Sequence, residues 1–298
     1  MMLKIIIAVL VIGIIFLAAV IFTKAIKQKR GLGWKNNLTG MVIGLITDFL
    51  DTLGIGSFET TPALYQITHY LDDDRDLPGT LNMVHSIPTM TEALVFVTAV
   101  HVQMTTLVPM VIAAVIGALI GSEVVVRMET TLIQRLMAGA LIITSMLMLA
   151  NKFGWVSLLA THNDASGLHG WALVIGVVGN FILGMLMSAG VGMYAPCMVL
   201  VYFLGLKPIA AFPIMMLSCA LLMPIVSLNF IRNGRYSLKG IYGFLFGGLV
   251  GVFIATHFVK NLSFGILEYL IVIVCLWTAY QLFRSSVAAK EDFSEKQK

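Results

Sequence analysis

The chain has 298 residues, of which 59% are hydrophobic and only 11% are charged, and its mean hydropathy is +0.95. A water-soluble domain needs roughly a quarter of its residues charged, so this composition excludes one. The net charge of +4 comes from basic residues in short loops, where they report membrane orientation, so we expect no nucleic-acid partner. Successive apolar runs of about 20 residues predict an all-α polytopic membrane protein surrounded by lipid.

The first apolar run, 5–22, predicts a membrane helix that is not cleaved. It is longer than the apolar core of a signal peptide, and no small-residue cleavage site precedes Thr23. Lysines and arginines cluster in the following loop and predict that it is cytoplasmic. We therefore treat 1–38 as an N-terminal transmembrane helix with a basic cytoplasmic loop.

Two sets of five apolar segments follow, in 39–152 and 171–286, with a polar linker at 153–170 and a polar tail at 287–298. The segments run at about 40–58, 62–71, 80–100, 106–126 and 132–150, and then at 171–189, 193–206, 208–231, 240–258 and 264–284. "TLGIGSFETTP" in the first set corresponds to "SAGVGMYAP" in the second, and Gly117/Gly121 correspond to Gly247/Gly251. This common order predicts an internal duplication.

Loop charges predict that the second copy is inverted relative to the first. If 24–38 is cytoplasmic, Arg127 and Arg135 lie on the same side and the linker lies outside. The same reasoning places "IRNGRYSLK" and the C-terminal tail in the cytoplasm. Inverted repeats with interrupted helices are typical of secondary transporters, whose site lies near the midplane between the copies. The sequence leaves open whether each broken segment is re-entrant or forms two full spans.

Each copy interrupts an apolar segment with a Gly-x-Gly sequence and places a proline a few residues later. The glycines are Gly54 and Gly56 in the first copy and Gly190 and Gly192 in the second. Glycine permits a tight turn, and proline suits the first position of a helix. We therefore predict half-helices that begin at Pro62, with Thr61 as the N-cap, and at Pro196.

Half-helices that begin inside the bilayer present unpaired backbone N–H groups, and such groups bind anions. Leaving them unpaired in lipid costs several kcal/mol. The sequence therefore predicts a site for a small anion between the two breaks. The candidate substrate-binding residues are Gly54, Gly56, Ser57, Thr60, Thr61, Asn82, Gly190, Gly192 and Tyr194. The pairs Gly117/Gly121 and Gly247/Gly251 are interpreted instead as close helix packing.

These features resemble the TauE/SafE family of sulfite exporters, also called the TSUP group. The resemblance rests on the duplicated glycine break, "KPIAAFPIMML", "FIRNGRYSLKG" and "GGLVGVFIATHFVKNLS", and covers about 38–285 without the N-terminal helix. It implies transport of sulfite or an organosulfonate such as sulfoacetate across the cytoplasmic membrane. Where the family usually has "GIGGG", this chain has "GIGSFE" and "GVGMY", so the substrate does not follow from the resemblance.

Ionisable residues in the first copy form a second predicted feature. Asp48 and Asp51 are three residues apart and share a helix face that points toward the break. A polar stripe along 80–100 consists of Asn82, His85, Ser86, Thr89 and Glu92. A carboxylate near the middle of the bilayer costs about 3 kcal/mol, so this many indicate a function. Since carboxylates repel an anionic substrate, we predict that they carry protons, through Glu92 and His85 with Asp48, Asp51 and Glu59 nearer the break.

Two other functions stay open. Buried carboxylates can coordinate a divalent ion, which would make the protein a cation carrier. An intramembrane enzyme acting on a lipid phosphate normally needs a buried Arg or Lys, and no apolar segment holds a central one, so we expect no enzyme activity. We expect no cofactor or metal site; self-association is left open. The cysteines Cys197, Cys219 and Cys275 lack metal-ligand spacing and are interpreted as packing residues.

Overall fold

A computed structural model describes residues 2–28, 33–129 and 165–258, together with separated positions within 131–153 and 269–287. The regular secondary structure of these residues is helical, apart from one isolated bridge between Ala165 and Leu206. The helices are α1 (Met2–Lys27), α2 (Trp34–Thr52), α3 (Ser57–Thr68), α4 (Leu77–Ala99), α5 (Met104–Val125), α6 (Gly170–Ser188), α7 (Tyr194–Phe203), α8 (Ala211–Arg232) and α9 (Ile241–Phe258). The all-α prediction is confirmed.

Helices α1, α5, α6 and α8 are long and apolar enough to cross a membrane, and α9 is a shorter apolar helix. Large apolar side chains lie exposed along these helices, as expected when lipid rather than water surrounds them. The polytopic membrane prediction is therefore confirmed. The predicted spans 132–150 and 264–284 lie partly outside the described residues, and their described positions are helical. The linker and tail lie largely outside them.

The helices of the two predicted copies exchange partners. The first helix of each copy packs along the fourth helix of the other, so that α2 lies on α9 and α6 lies on α5. The third helices, α4 and α8, pack against each other, and α1 lies outside this arrangement against α4. A two-fold relation between the copies produces this reciprocal pattern, which supports the duplication. The inversion of the copies across the membrane stays a prediction.

Glycines let the exchanged helices approach to backbone contact. A Cβ atom added at Gly247 would lie 2.0 Å from the carbonyl oxygen of Met41, and one at Gly117 would lie 2.0 Å from that of Phe181. Gly251, one turn further along α9, meets α2 in the same way. The interpretation of the GxxxG-type pairs as close packing is confirmed.

Polar contacts gather the helix ends into two groups. At the basic end, formed by 33–37, 70–76, 126–128 and 232–240, the Tyr70 hydroxyl oxygen lies 2.9 Å from the carbonyl oxygens of both Asn36 and Lys239, which share its single hydrogen. At the distal end, formed by 100–106, 165–169 and 204–207, backbone bonds join the linker to both copies. The segments that loop charges predict to be cytoplasmic therefore lie together at the basic end.

Candidate functional site

Both predicted helix breaks are present. Helix α2 ends at Thr52 and α3 begins at Ser57, while α6 ends at Ser188 and α7 begins at Tyr194. Gly54, Gly56 and Gly190 have φ angles of 89°, 31° and 91°, in the left-handed region that favours glycine. Gly192 lies outside that region. The glycine turn is thus confirmed in both copies.

The half-helices begin earlier than the prolines predict. Helix α3 starts at Ser57, so Pro62 lies inside it and Thr61 is not its N-cap. The Ser57 N–H donates a hydrogen bond to Asp51 Oδ1, and this carboxylate secures the helix start upstream of the proline. Helix α7 starts at Tyr194, so Pro196 lies in its first turn, where N–H groups have no partner within the helix. The prediction that prolines mark the first residues was wrong.

The N-termini of α3 and α7 face each other across a small cavity that is too narrow in this structure to hold a water molecule. Its lining is formed by Asp51, Gly56, Ser57, Phe58, Met187, Gly192, Met193, Tyr194 and Met223. At 1.5 Å per residue, α3 and α7 are about 18 and 15 Å long, so each crosses about half of the hydrocarbon core. The breaks of the two copies therefore meet in the interior of the bundle, as predicted.

Three buried carboxyl groups lie beside this cavity. Asp48 and Glu92 are fully buried, Asp51 is 1% exposed, and one oxygen of each lies within 4.8 Å of the others. The Tyr194 hydroxyl lies 3.0 Å from Asp51 Oδ2 and 3.2 Å from Glu92 Oε2. We call these three carboxyl groups and the tyrosine the acid cluster. The second copy therefore contributes a polar group to a cluster that the first copy otherwise provides.

The hydroxyl groups of the acid cluster indicate that it holds a proton. Tyr194 has one hydroxyl hydrogen but contacts two carboxyl groups, so both contacts are hydrogen bonds only when one acid is protonated and donates to the tyrosine. Thr52 Oγ1 likewise lies 2.8 Å from both Glu92 Oε1 and the Asp48 carbonyl oxygen. A carbonyl can only accept, so a protonated Glu92 satisfies both ends of the Thr52 contact.

A chain of side chains links Asp48 to α3. His85 Nδ1 lies 2.6 Å from Asp48 Oδ1, and His85 Nε2 lies 2.8 Å from Thr61 Oγ1. All three residues are fully buried, and the edge of the histidine ring packs against Phe244 with 5.0 Å between ring centroids. A histidine whose two nitrogens bond to different groups can take a proton on one side and release it on the other.

The α3 N-terminus differs from the predicted anion seat. Its Ser57 N–H is not bare, because Asp51 accepts its hydrogen bond. A carboxylate is itself an anion, so Asp51 interacts favourably with the positive end of the helix dipole. The Asp51 carboxylate thus occupies the position at the start of α3 where the sequence predicts the anionic substrate.

The remaining candidate residues have varied positions. The Thr60 hydroxyl bonds to the Gly56 carbonyl, and the Asn82 side chain bonds to the Pro78 carbonyl, away from the cavity lining. The side chain of Glu59 is outside the described residues, and so is Cys275. Cys197 and Cys219 are buried, as expected of packing residues. The roles of all candidate residues stay predictions.

Sequence reasoning missed Thr52, whose hydroxyl contacts Glu92. A signal was present, because Thr52 follows Asp48 by four residues and therefore shares its helix face.

A lipid-facing bundle with two broken helices meeting at a buried acid cluster has the organisation of a membrane transporter. The sequence model of one family, described as Sulfite exporter TauE/SafE, matches residues 1–148. The chain is similar to this family over this stretch, which is just under half of its length, and the resemblance seen in the sequence is confirmed there. The matched region includes the N-terminal helix, which we expected to lie outside the similarity, and it ends at residue 148. No curated protein matches the chain significantly.

Proposed function

We propose that this protein is a secondary transporter that moves sulfite or an organosulfonate together with protons, by alternating access at the cavity between α3 and α7. The observation that carries the proposal is the buried acid cluster, in which Tyr194 of one break joins Asp51 and Glu92 beside the other. The similarity of residues 1–148 to the sulfite exporter family supports an exported anion as the substrate class.

Charge explains why protons and the anion would bind together. An anion about 4 Å from an ionised carboxylate is repelled by about 4 kcal/mol at an effective dielectric constant of about 20. Among the described residues, the buried lysine or arginine that would offset this repulsion is absent. Protonation of the acid cluster removes the repulsion, so proton binding strengthens anion binding, and by reciprocity anion binding strengthens proton binding.

Asp51 and the bound anion would take turns as the hydrogen-bond acceptor of the Ser57 N–H. In the structure the Asp51 carboxylate accepts from the Ser57 N–H at the start of α3. Once Asp51 is protonated, its hold on this N–H weakens, because a neutral acid is the poorer acceptor. The N–H group then binds the substrate oxygen instead. The same protonation therefore removes a repulsive charge and releases a donor.

Uptake into proteoliposomes tests this function. Labelled sulfite and labelled sulfoacetate would be offered with and without a pH gradient while a trapped dye reports the internal pH. We expect the acidic side of the membrane to accelerate anion entry from that side, with protons moving in the same direction. If the rate of anion movement did not depend on the pH gradient, the proposed proton coupling would be wrong. If neither anion moved, the proposed substrate class would be wrong.

A cation carrier is the second candidate, because three buried carboxyl groups lie close enough to share one ion. A divalent ion takes six or more oxygen ligands, and hydroxyl groups such as those of Thr52 and Tyr194 would have to complete the set. Uptake of Mn²⁺ or Na⁺ in the same proteoliposomes separates the two functions. An intramembrane phosphate enzyme is not favoured, because His85 is the only basic side chain among the buried groups that the structure describes.

A further inference from the structure

Tyr65 is buried in α3, and its hydroxyl has no hydrogen-bond partner among the described residues. A buried hydroxyl without a partner is costly, and a phenylalanine would fill the same space without that cost. Packing alone therefore does not explain why position 65 holds a tyrosine and not a phenylalanine.

Tyr65 lies between the basic end and the Asp48–His85 pair. On one side its ring contacts Tyr70, with 5.1 Å between centroids, and the Tyr70 hydroxyl hydrogen is shared by two backbone carbonyls at the basic end. Lys239 lies over the Tyr70 ring and pairs with Asp72, whose side chain is 81% exposed, so this end reaches water.

On its other side Tyr65 follows Thr61 by one helical turn, so the two side chains share a face of α3. Thr61 bonds to His85, which in turn lies 2.6 Å from Asp48. The Phe244 ring contacts both Tyr65 and His85.

We propose that Tyr65 is a proton-relay residue on a route from the basic end, past Tyr70, to Thr61, His85 and Asp48. This inference rests on the proposed proton coupling and assigns the side of the bundle from which the acid cluster is loaded. At each hydroxyl the oxygen accepts one hydrogen while the group releases its own, so no hydroxyl changes its charge. His85 accepts the proton at Nε2 and releases one from Nδ1 to Asp48, which ends as a neutral acid beside Asp51 and Glu92.

The unused donor and acceptor of Tyr65 fit this role. A relay hydroxyl must form new hydrogen bonds in sequence, and a group that is already fully bonded would have to break one first. Tyr70, by contrast, is anchored by Asn36 and Lys239 and holds the entrance in place. Among the hydroxyl groups of Tyr70, Tyr65 and Thr61, the one without a hydrogen-bond partner is therefore that of Tyr65, which lies between Tyr70 and His85.

The test compares Tyr65→Phe with Tyr242→Phe, a matched change at a ring that stacks on Phe22 away from the route. Each variant is reconstituted, and two rates are measured with sulfite and sulfoacetate: proton-coupled net uptake, and exchange of labelled for unlabelled anion without a pH gradient. We expect Tyr65→Phe to slow net uptake about tenfold or more while exchange and thermal stability are retained, since loss of a proton-transfer group slows only the proton step. Tyr242→Phe should keep both rates.

Thr61→Val provides a second variant that removes the next hydroxyl, and Thr61→Ser should restore net uptake. Equal loss of net uptake and exchange in Tyr65→Phe would assign a structural role and overturn the relay. Unchanged net uptake in a protein whose wild type moves protons would overturn it as well, while leaving the proposed function intact. Anion movement without protons in the wild type would instead defeat the proposed coupling, and the relay with it.

Discussion

Glu92→Gln is the substitution that most directly tests the linkage between proton and anion. Glutamine has nearly the same shape, and its amide can donate to Tyr194 or to Thr52 while its oxygen accepts from the other, so it imitates the protonated acid. It is neutral at every pH. We therefore expect the variant to bind the anion with an affinity that no longer depends on protonation at this position.

The magnitude follows from the spacing of the cluster. Two ionised groups at the 4.8 Å limit between its oxygens repel by about 3 kcal/mol at an effective dielectric constant of about 20. In the proposed site an anion bound beside Asp51 would lie at a comparable distance from Glu92, since one oxygen of each acid lies within 4.8 Å of the other. Removing this charge should tighten binding by up to about a hundredfold at high pH, where the wild-type acid is ionised. At low pH, where the wild-type acid is already neutral, the two proteins should bind alike.

Calorimetric titration with sulfoacetate in detergent, at about pH 6 and about pH 8, measures this difference. Sulfoacetate is suitable because its own charge is constant over that interval. Glu123→Gln is the matched control, since Glu123 is an exposed glutamate on α5. A Glu92→Gln protein whose affinity keeps the full pH dependence of the wild type would refute the reasoning. Net proton-coupled uptake by this variant should also be lost, because glutamine cannot release a proton.

Three further predictions concern the tyrosine bridge, the glycine contacts and the depth of the break. Tyr194→Phe leaves buried acids without their shared donor and should lower stability by about 1–3 kcal/mol, measured as a fall in melting temperature in detergent; an unchanged melting temperature would contradict the two hydrogen bonds. Gly247→Ala places a Cβ atom 2.0 Å from a backbone oxygen of α2 and should destabilise by about 1–3 kcal/mol or more, whereas Gly139→Ala, with nothing within 4 Å, should be neutral. In a cysteine-free background, Ser57→Cys should resist a water-soluble maleimide while the exposed Thr68→Cys reacts; rapid labelling at both positions would show that the break lies in water.

The positions of the long helices could be predicted from the sequence because the bilayer fixes their length. The apolar run at 106–126 corresponds to α5 at Met104–Val125, and 240–258 corresponds to α9 at Ile241–Phe258. Periodicity also placed Asp48, Asp51 and Glu92 on faces that prove to be buried. Because burying a charge in lipid costs free energy, carboxylates within an apolar segment can be recognised from the sequence as candidate functional residues.

The start of α3 could not be predicted from local preference, because the group that fixes it is the Asp51 side chain, six residues before Ser57. Proline and threonine signals at 61–62 are valid for a helix start, but tertiary contact overrides them. The contact between Tyr194 and Asp51 spans 143 residues of sequence and depends on how the copies pack. Sequence alone predicted that the two breaks meet, but gave no basis for a hydrogen-bonded bridge between them.

The exchange of partners between the copies has a mechanical consequence. Gly247 and Gly251 hold α9 against α2, while Gly117 and Gly184 hold α5 against α6, each through backbone contact that leaves little room to slide. Each rigid pair therefore combines one helix from either half of the chain, and the half-helices α3 and α7 follow α2 and α6, the first helix of each copy. In the proposed alternating access, the units that move would therefore each contain helices of both halves, and the opening would run through both halves instead of between them.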